Sequence, residues 1–286
     1  MDTMHITTSD GARIGYDVSG RGPAIVFLHC TAASRGQWSE LRRAYEARWT
    51  TVAIDLHGHG DSHPWHGRRG LRLADEAAAV AAVLARLDGP AHVVGHSYGG
   101  AVALNLALSG VPLASLTLVE PVAFHLLRDG TAATASLVAE VATIAGAVAD
   151  GVRSGDHAAA MATFVDYWSG AGTWAAIRED RRPAVAGMAP AVALHFGAAM
   201  GDATRLADCA RLDVPTLVLA GDRTRAPAAA IASRLAGAIP GCHARIVAGA
   251  GHMLPRTHPD PFLRALGAHL ERVIAGAEEA RLPAVA

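Results

Sequence analysis

Short apolar runs bounded by glycine, proline and polar turns recur along the chain, and longer alanine-rich stretches separate most of them. Residues 24–28 (AIVFL), 51–56, 91–94, 113–119 (LASLTLV) and 215–220 (PTLVLA) have the length and near-continuous apolarity of buried strands, and 243–247 (HARIV) is read as one more strand, without that burial. Residues 4–18 differ: HITT, a turn at Ser9-Asp10-Gly11 and the alternating ARIGYDV predict an antiparallel hairpin. Helical spacing predicts a helix over 34–48, with Trp38, Leu41 and Tyr45 on one face, and others over 71–87, 100–108, 228–238 and 261–274. Gly89-Pro90 stops the second of these, and the tail through Ala286 is expected to fray. From 125 to 212 the strand pattern disappears. Helix-like, alanine-rich stretches take its place, carrying Phe164, Tyr167, Trp168, Trp174, Met188, His195, Phe196 and Met200.

Composition narrows the classes. At 286 residues and 51% hydrophobic, the chain can bury one large core with an inserted subdomain. Lys plus Arg total 25 against 26 Asp plus Glu, so no basic field exists for nucleic acid. Cys30, Cys209 and Cys242 are odd in number and scattered, which gives neither a disulfide framework nor metal-ligand spacing. The first residues, MDTMHITTSD, show no basic start followed by an apolar run, so no secretory signal is expected. The most apolar window, 131–149, is mostly alanine and holds Glu140 in its middle, which speaks against a membrane span. A cytoplasmic protein is the expectation.

The chemistry is concentrated in residues 91–108, AHVVGHSYGGAVALNLAL. A strand turns into a helix here, and Gly95 and Gly99 flank Ser97 in the spacing G-x-S-x-G. A turn this sharp strains its central residue, and only small neighbours let the two arms approach. The strain pushes the Ser97 hydroxyl outward at the positive end of the following helix.

With its strand, its helix and suitable partners further on, this stretch resembles that of the α/β-hydrolases, and the resemblance runs from about Met4 to the C-terminal helix. It implies an α/β fold with a mostly parallel, doubly wound central sheet, the N-terminal antiparallel hairpin, and an inserted helical cap. The core would comprise 1–124 and 213–286, and the cap 125–212. Ser97 would then be the nucleophile. His252, on the loop Gly249-Ala250-Gly251-His252-Met253 after the last strand, would be its base. The turn His29-Cys30-Thr31 would form the oxyanion hole, with backbone N–H groups from Thr31 and Tyr98. Cys30 stands there in place of the usual glycine, and a buried, inert thiol is the reading for it rather than a reactive one.

The acid of such a triad is commonly placed where this chain has Thr224, which carries no charge. Glu120, at the end of the 113–119 strand, is the preferred acid and Asp222 the alternative. Asp55 matches a structural aspartate in the family's Asp-x-x-Gly-x-Gly-x-Ser loop. The loop's His57, His59 and His63 lack the companions of a metal site, so no metal and no cofactor are implied. His29, Trp38, Phe164 and Trp168 are candidates for the substrate pocket. Core packing is the preferred role for Trp38, and burial between cap helices competes for the aromatic cluster.

The resemblance therefore implies a serine hydrolase that cleaves an ester or related acyl bond of a small to medium, largely apolar molecule through an acyl-enzyme. A serine at this turn argues against the haloalkane dehalogenases and epoxide hydrolases, which use aspartate there. Lactonase, carbon–carbon bond hydrolase and cofactor-free perhydrolase chemistry stay open, as does a ligand-binding receptor with little turnover. The partner implied is a small-molecule substrate, with no nucleic acid and no membrane. Oligomeric state leaves no trace in the sequence.

Overall fold

The hairpin at the N-terminus pairs β1 (Met4–Thr7) with β2 (Arg13–Gly20), Met4 opposite Tyr16 and Thr7 opposite Arg13. The computed structural model describes residues 3–9, 11–128 and 131–279. Asp10 of the expected turn and the expected frayed tail, 280–286, lie outside the described residues.

β2 continues antiparallel onto β4 (Thr50–Ile54), and from there the sheet is parallel: β3 (Ala24–Leu28), β5 (Ala91–His96), β6 (Leu113–Val119), β7 (Thr216–Gly221) and β8 (His243–Val247). The eight strands lie in the order β1-β2-β4-β3-β5-β6-β7-β8. β4 and β5 thus flank β3 on opposite sides, and the strand order reverses there. The crevice beyond the carboxyl ends of β3 and β5 is where open α/β sheets hold ligands.

Parallel strands covered by helices on both faces should read as continuous apolar runs, and β3 shows why. Ala24, Val26 and Leu28 belong to one hydrophobic cluster, and Ile25 and Phe27 to the cluster on the other face. Covering the sheet outside the β6–β7 connection are α1 (Ser39–Arg42), α2 (Leu73–Leu84), α3 (Tyr98–Leu108), α10 (Ala226–Ala238), α11 (Leu254–Thr257) and α12 (Pro259–Glu279). Between β6 and β7 come α4 (Ala132–Ser154), α5 (His157–Ser169), α6 (Thr173–Ala176), α7 (Arg182–Ala186), α8 (Ala189–Gly201) and α9 (Leu206–Cys209). α4 packs against α5 and α8, and α8 reaches α3 beneath. By length and composition alone, Ala132–Ser154 and the run Arg182–Gly201 could cross a membrane.

The single helix expected over 34–48 is instead a 3-10 turn, Arg35–Trp38, one α turn and a series of turns. Its start is fixed by Asp55, whose carboxylate accepts the Arg35 and Asp61 amides at 2.7 and 2.9 Å and pairs with the Arg35 guanidinium. Trp38, Leu41 and Tyr45 still face one way, into the second cluster.

An unusual number of imidazoles are buried in this core. His29, His59, His92, His96, His125, His195 and His269 are at most 6% exposed, and burial, first among causes, lowers the pKa of each. The unfolded chain takes up protons as pH falls through about 6.5 while these folded imidazoles stay neutral. Stability is therefore full above that pH and lost below it, by up to about 1.4 kcal/mol per pH unit for each such group. The urea midpoint is expected to fall steeply between about pH 6.5 and 5. A midpoint flat across that range would show that these rings are not held neutral.

Candidate active site

β5 ends at His96, and Ser97 turns the chain into α3 with φ 56° and ψ −116°. The flanking glycines answer to close approach. A Cβ on Gly95 would overlap the Gly99 carbonyl oxygen, and one on Gly99 would sit 2.5 Å from Leu28 O and 2.6 Å from His29 O. Strand, helix and the end of β3 meet with no room for a methyl group. Gly95→Ala is expected to cost about 3 kcal/mol, as overpacking against backbone does. Gly197→Ala, at a helical glycine with open space around it, should be neutral or slightly stabilising. Thermal melts of the two variants check this, and equal melting temperatures would contradict it.

Besides Ser97, the non-glycine residues with positive φ among the described residues are Ala32 (59°) and Glu120 (50°). All three stand at carboxyl ends of neighbouring strands, which is where strain of this kind gathers at working sites. Ser97 N–H donates to Val119 O at 2.9 Å and Glu120 N–H to Leu219 O at 2.8 Å, so the sheet's own ladder fixes both residues.

His252 comes from the loop after β8 and lies between them. Its Nε2 is 2.8 Å from Ser97 Oγ, and its Nδ1 is 3.3 Å from Glu120 Oε2. An imidazole facing a carboxylate at Nδ1 keeps its proton there, which leaves Nε2 to accept the serine proton. Glu120 is fully buried, its Oε1 accepting Gly221 N–H at 2.6 Å and its Oε2 accepting the Thr224 hydroxyl. Burial alone would raise its pKa. The hydrogen bonds and charge from His252, with those from Thr224 and Gly221, outweigh burial and hold the carboxyl below its ordinary value. Thr224 thus donates to the Glu120 carboxylate. Asp222 is exposed and accepts Gly249 N–H at 2.7 Å, tying two loops together.

A second chain of contacts connects the pieces from behind. His96 Nε2 lies 2.8 Å from His252 O, Gln37 Nε2 lies 3.0 Å from His96 Nδ1, and Gln37 Oε1 accepts Cys30 N–H at 3.1 Å. Burial first, then the nearby His252, brings the His96 pKa down to about 3, so the ring is neutral and donates from Nε2. Sequence reasoning passed over both residues. The one signal was the place of His96 inside the G-x-S-x-G run.

In the turn after β3, Cys30 N–H is taken by Gln37, Ala32 N–H donates to His59 Nε2 at 3.1 Å, and Ala33 N–H donates to Cys30 O at 3.2 Å. Among the described residues the amides of Thr31 and Tyr98 have no acceptor. The Cys30 thiol is 6% exposed, and burial pushes its pKa up to about 12, so it stays protonated.

Above Ser97 opens a cavity of about 850 Å³, bordered by Cys30, Thr31, Ser97 and His252 below and by Phe164, Trp168, Ile177 and Val185 from the β6–β7 connection. The Trp168 ring packs on the His252 ring, centroids 4.0 Å apart. Phe164 and Trp168 thus border this cavity. His29 does not, and Trp38 takes the core position preferred for it. His29 is fully buried, with Nδ1 2.7 Å from Cys30 O and Nε2 accepting Leu56 N–H at 3.0 Å. Trp38 is fully buried between Phe27 and Phe262. Both fill the layer under the turn because their backbones precede and follow the point where it opens. Of the loop histidines, His57 Nδ1 faces Glu76 at 2.8 Å, His59 holds Ala32, and His63 Nδ1 accepts Arg13 N–H at 3.4 Å. No cluster of three or more metal-ligating side chains occurs among the described residues.

The Alpha/beta hydrolase family matches residues 25–265 of this chain. A pimeloyl-[acyl-carrier protein] methyl ester esterase from Neisseria meningitidis is 39% identical over 83 residues, 29% of this chain and 30% of that protein. The chain spans about a third of the length of the curated relatives it matches. An alpha/beta hydrolase from Sphaerobacter thermophilus superposes with a TM-score of 0.73 at 25% identity, over 93% of this chain and 100% of that one. The enol-lactonase of Burkholderia xenovorans, at 20% identity, shares the fold with a TM-score of 0.70 over 94% and 100%.

Proposed function

The chain belongs to the alpha/beta hydrolase family, and we propose that it is a hydrolase that cleaves an ester or related acyl bond through an acyl-enzyme on Ser97. The observation that carries this reading is the hydrogen-bonded line from Glu120 through His252 to Ser97 on the floor of the cavity. Ser97 is a poor nucleophile as a neutral hydroxyl. His252 takes its proton during attack on the acyl carbon and gives it to the leaving group. Glu120, ionised and buried, keeps His252 in the tautomer that can do so and stabilises the imidazolium that forms. The free amides of Thr31 and Tyr98 donate to the oxyanion, a contribution of several kcal/mol in comparable sites. Water activated by His252 then clears the acyl group. The esterase among the relatives supports an ester as the bond cleaved.

In this reading residues 125–212 act as a cap on a core of 1–124 and 213–286. Phe164, Trp168, Ile177 and Val185 give the cavity its apolar roof, which suits a small to medium apolar acyl or alcohol group. The test is a chain-length series of p-nitrophenyl esters together with a fluorophosphonate label. Turnover of short or medium esters and one label per chain on Ser97 are expected. A folded protein that takes no label at Ser97 would sink the reading.

A further inference from the structure

Behind the oxyanion turn lies a second line of hydroxyl, imidazole and carboxylate that the reaction above does not use. His195, from α8, places Nδ1 3.0 Å from Thr31 Oγ1, and its Nε2 faces Glu76 Oε1 at 3.6 Å. Its ring is stacked between Tyr98 (centroids 3.7 Å) and His59 (4.7 Å), so it cannot turn freely. Glu76 is fully buried, and its other oxygen holds His57 Nδ1 at 2.8 Å and His57 N–H at 3.2 Å. Burial would raise the Glu76 pKa, but the His195 ring facing one oxygen and the His57 hydrogen bonds to the other outweigh it and hold the carboxyl well below its ordinary value.

A carboxylate opposite Nε2 fixes the proton of a neutral His195 on that nitrogen, because the other tautomer sets a lone pair against the charge. Nδ1 is then an acceptor, and the Thr31 hydroxyl donates to it. What Thr31 Oγ1 has left to offer is a lone pair. Thr31 and His195 both border a recess of about 20 Å³ beside Ser97, whose other walls include Val122, Phe124 and Phe196. That is room for one water-sized group.

We infer that this recess is a specificity subsite: Thr31 Oγ1, held as an acceptor by His195 and Glu76, selects acyl groups with a small hydrogen-bond donor next to the scissile carbonyl. A 2-hydroxyacyl ester is the simplest such substrate. The inference rests on the reading of Ser97 and the Thr31 amide given above. Thr31 carries both that amide and the hydroxyl, and Ser97 borders the same recess, so an acyl group on Ser97 with its carbonyl oxygen on the amide sets its next carbon beside the recess. An acyl group without the donor leaves a polar atom facing an apolar wall, and sites built this way discriminate more strongly than sites of shape alone.

The experiment compares ethyl mandelate, each enantiomer, with ethyl phenylacetate, which lacks only the hydroxyl, for native protein, Thr31→Val, Thr31→Ser and Ser97→Ala. Native protein is expected to favour one mandelate enantiomer in kcat/KM. Thr31→Val should lower the mandelate-to-phenylacetate ratio by about tenfold or more, and Thr31→Ser should keep it. A ratio that Thr31→Val leaves unchanged, or no preference in the native protein, overturns the inference. Ser97→Ala and the fluorophosphonate label separate the two levels: turnover that survives the substitution counts against the reading of Ser97 itself, whereas native protein that takes the label on Ser97 but cleaves neither ester overturns the 2-hydroxyacyl assignment.

Discussion

Ser97→Ala is expected to lower kcat on any ester that the native protein cleaves by about 10⁴-fold or more, with little change in melting temperature. The change removes one hydroxyl, whose partner is His252 Nε2, from a residue that is 5% exposed. The turn itself is held by the Gly95 and Gly99 contacts and by Ser97 N–H to Val119 O, all of which an alanine keeps. Alanine meets the positive φ about as poorly as serine does, so the strain is unchanged. The loss therefore falls on the chemistry alone. A pre-steady-state burst of p-nitrophenol should accompany native turnover if deacylation is slow, and should vanish in the variant. The pair of measurements is kcat by release of p-nitrophenol and unfolding followed by circular dichroism. A variant that keeps its fold and more than about a hundredth of its activity would place the nucleophile elsewhere.

What the sequence made legible follows from how local each signal was. β3 could be read because a strand buried on both faces must be apolar at every position. The turn at Ser97 could be read because close backbone approach admits only glycine at Gly95 and Gly99. Glu120 was legible as a carboxylate at the carboxyl end of an apolar run, on a chain whose Thr224 cannot carry charge. Contacts between distant residues were not legible. Gln37 to His96 and Thr31 to His195 join positions 59 and 164 residues apart, and no periodicity reports which polar atom a buried ring will meet. His29 was misplaced for a related reason, whereas Trp38 takes the core position preferred for it. Nearness in sequence to the turn after β3 does not say on which side of it a side chain falls. The helices from α4 to α9 were foreseeable as helices, but alanine-rich faces pack in many ways and carry little register.

The choice of acid yields the second large effect. Glu120→Gln is expected to reduce kcat by about 10³- to 10⁴-fold, and Asp222→Asn by less than about threefold. Glutamine is nearly the same size, but it offers one oxygen and one NH₂ where the carboxylate offers two oxygens. Gly221 N–H demands the oxygen at Oε1, so the NH₂ falls opposite His252 Nδ1 and the Thr224 hydroxyl. Nδ1 must then accept, which moves the ring proton to Nε2, and that nitrogen faces Ser97 with no lone pair left to take its proton. The geometry survives while the tautomer is wrong. Asp222→Asn makes no such demand, since an amide oxygen accepts Gly249 N–H as well as a carboxylate oxygen does. Both variants are measured on the same ester at a pH where the native rate is flat. If Asp222→Asn is the slower, the Nδ1 contact at 3.3 Å is incidental, and the acid that serves His252 comes from the loop after β7.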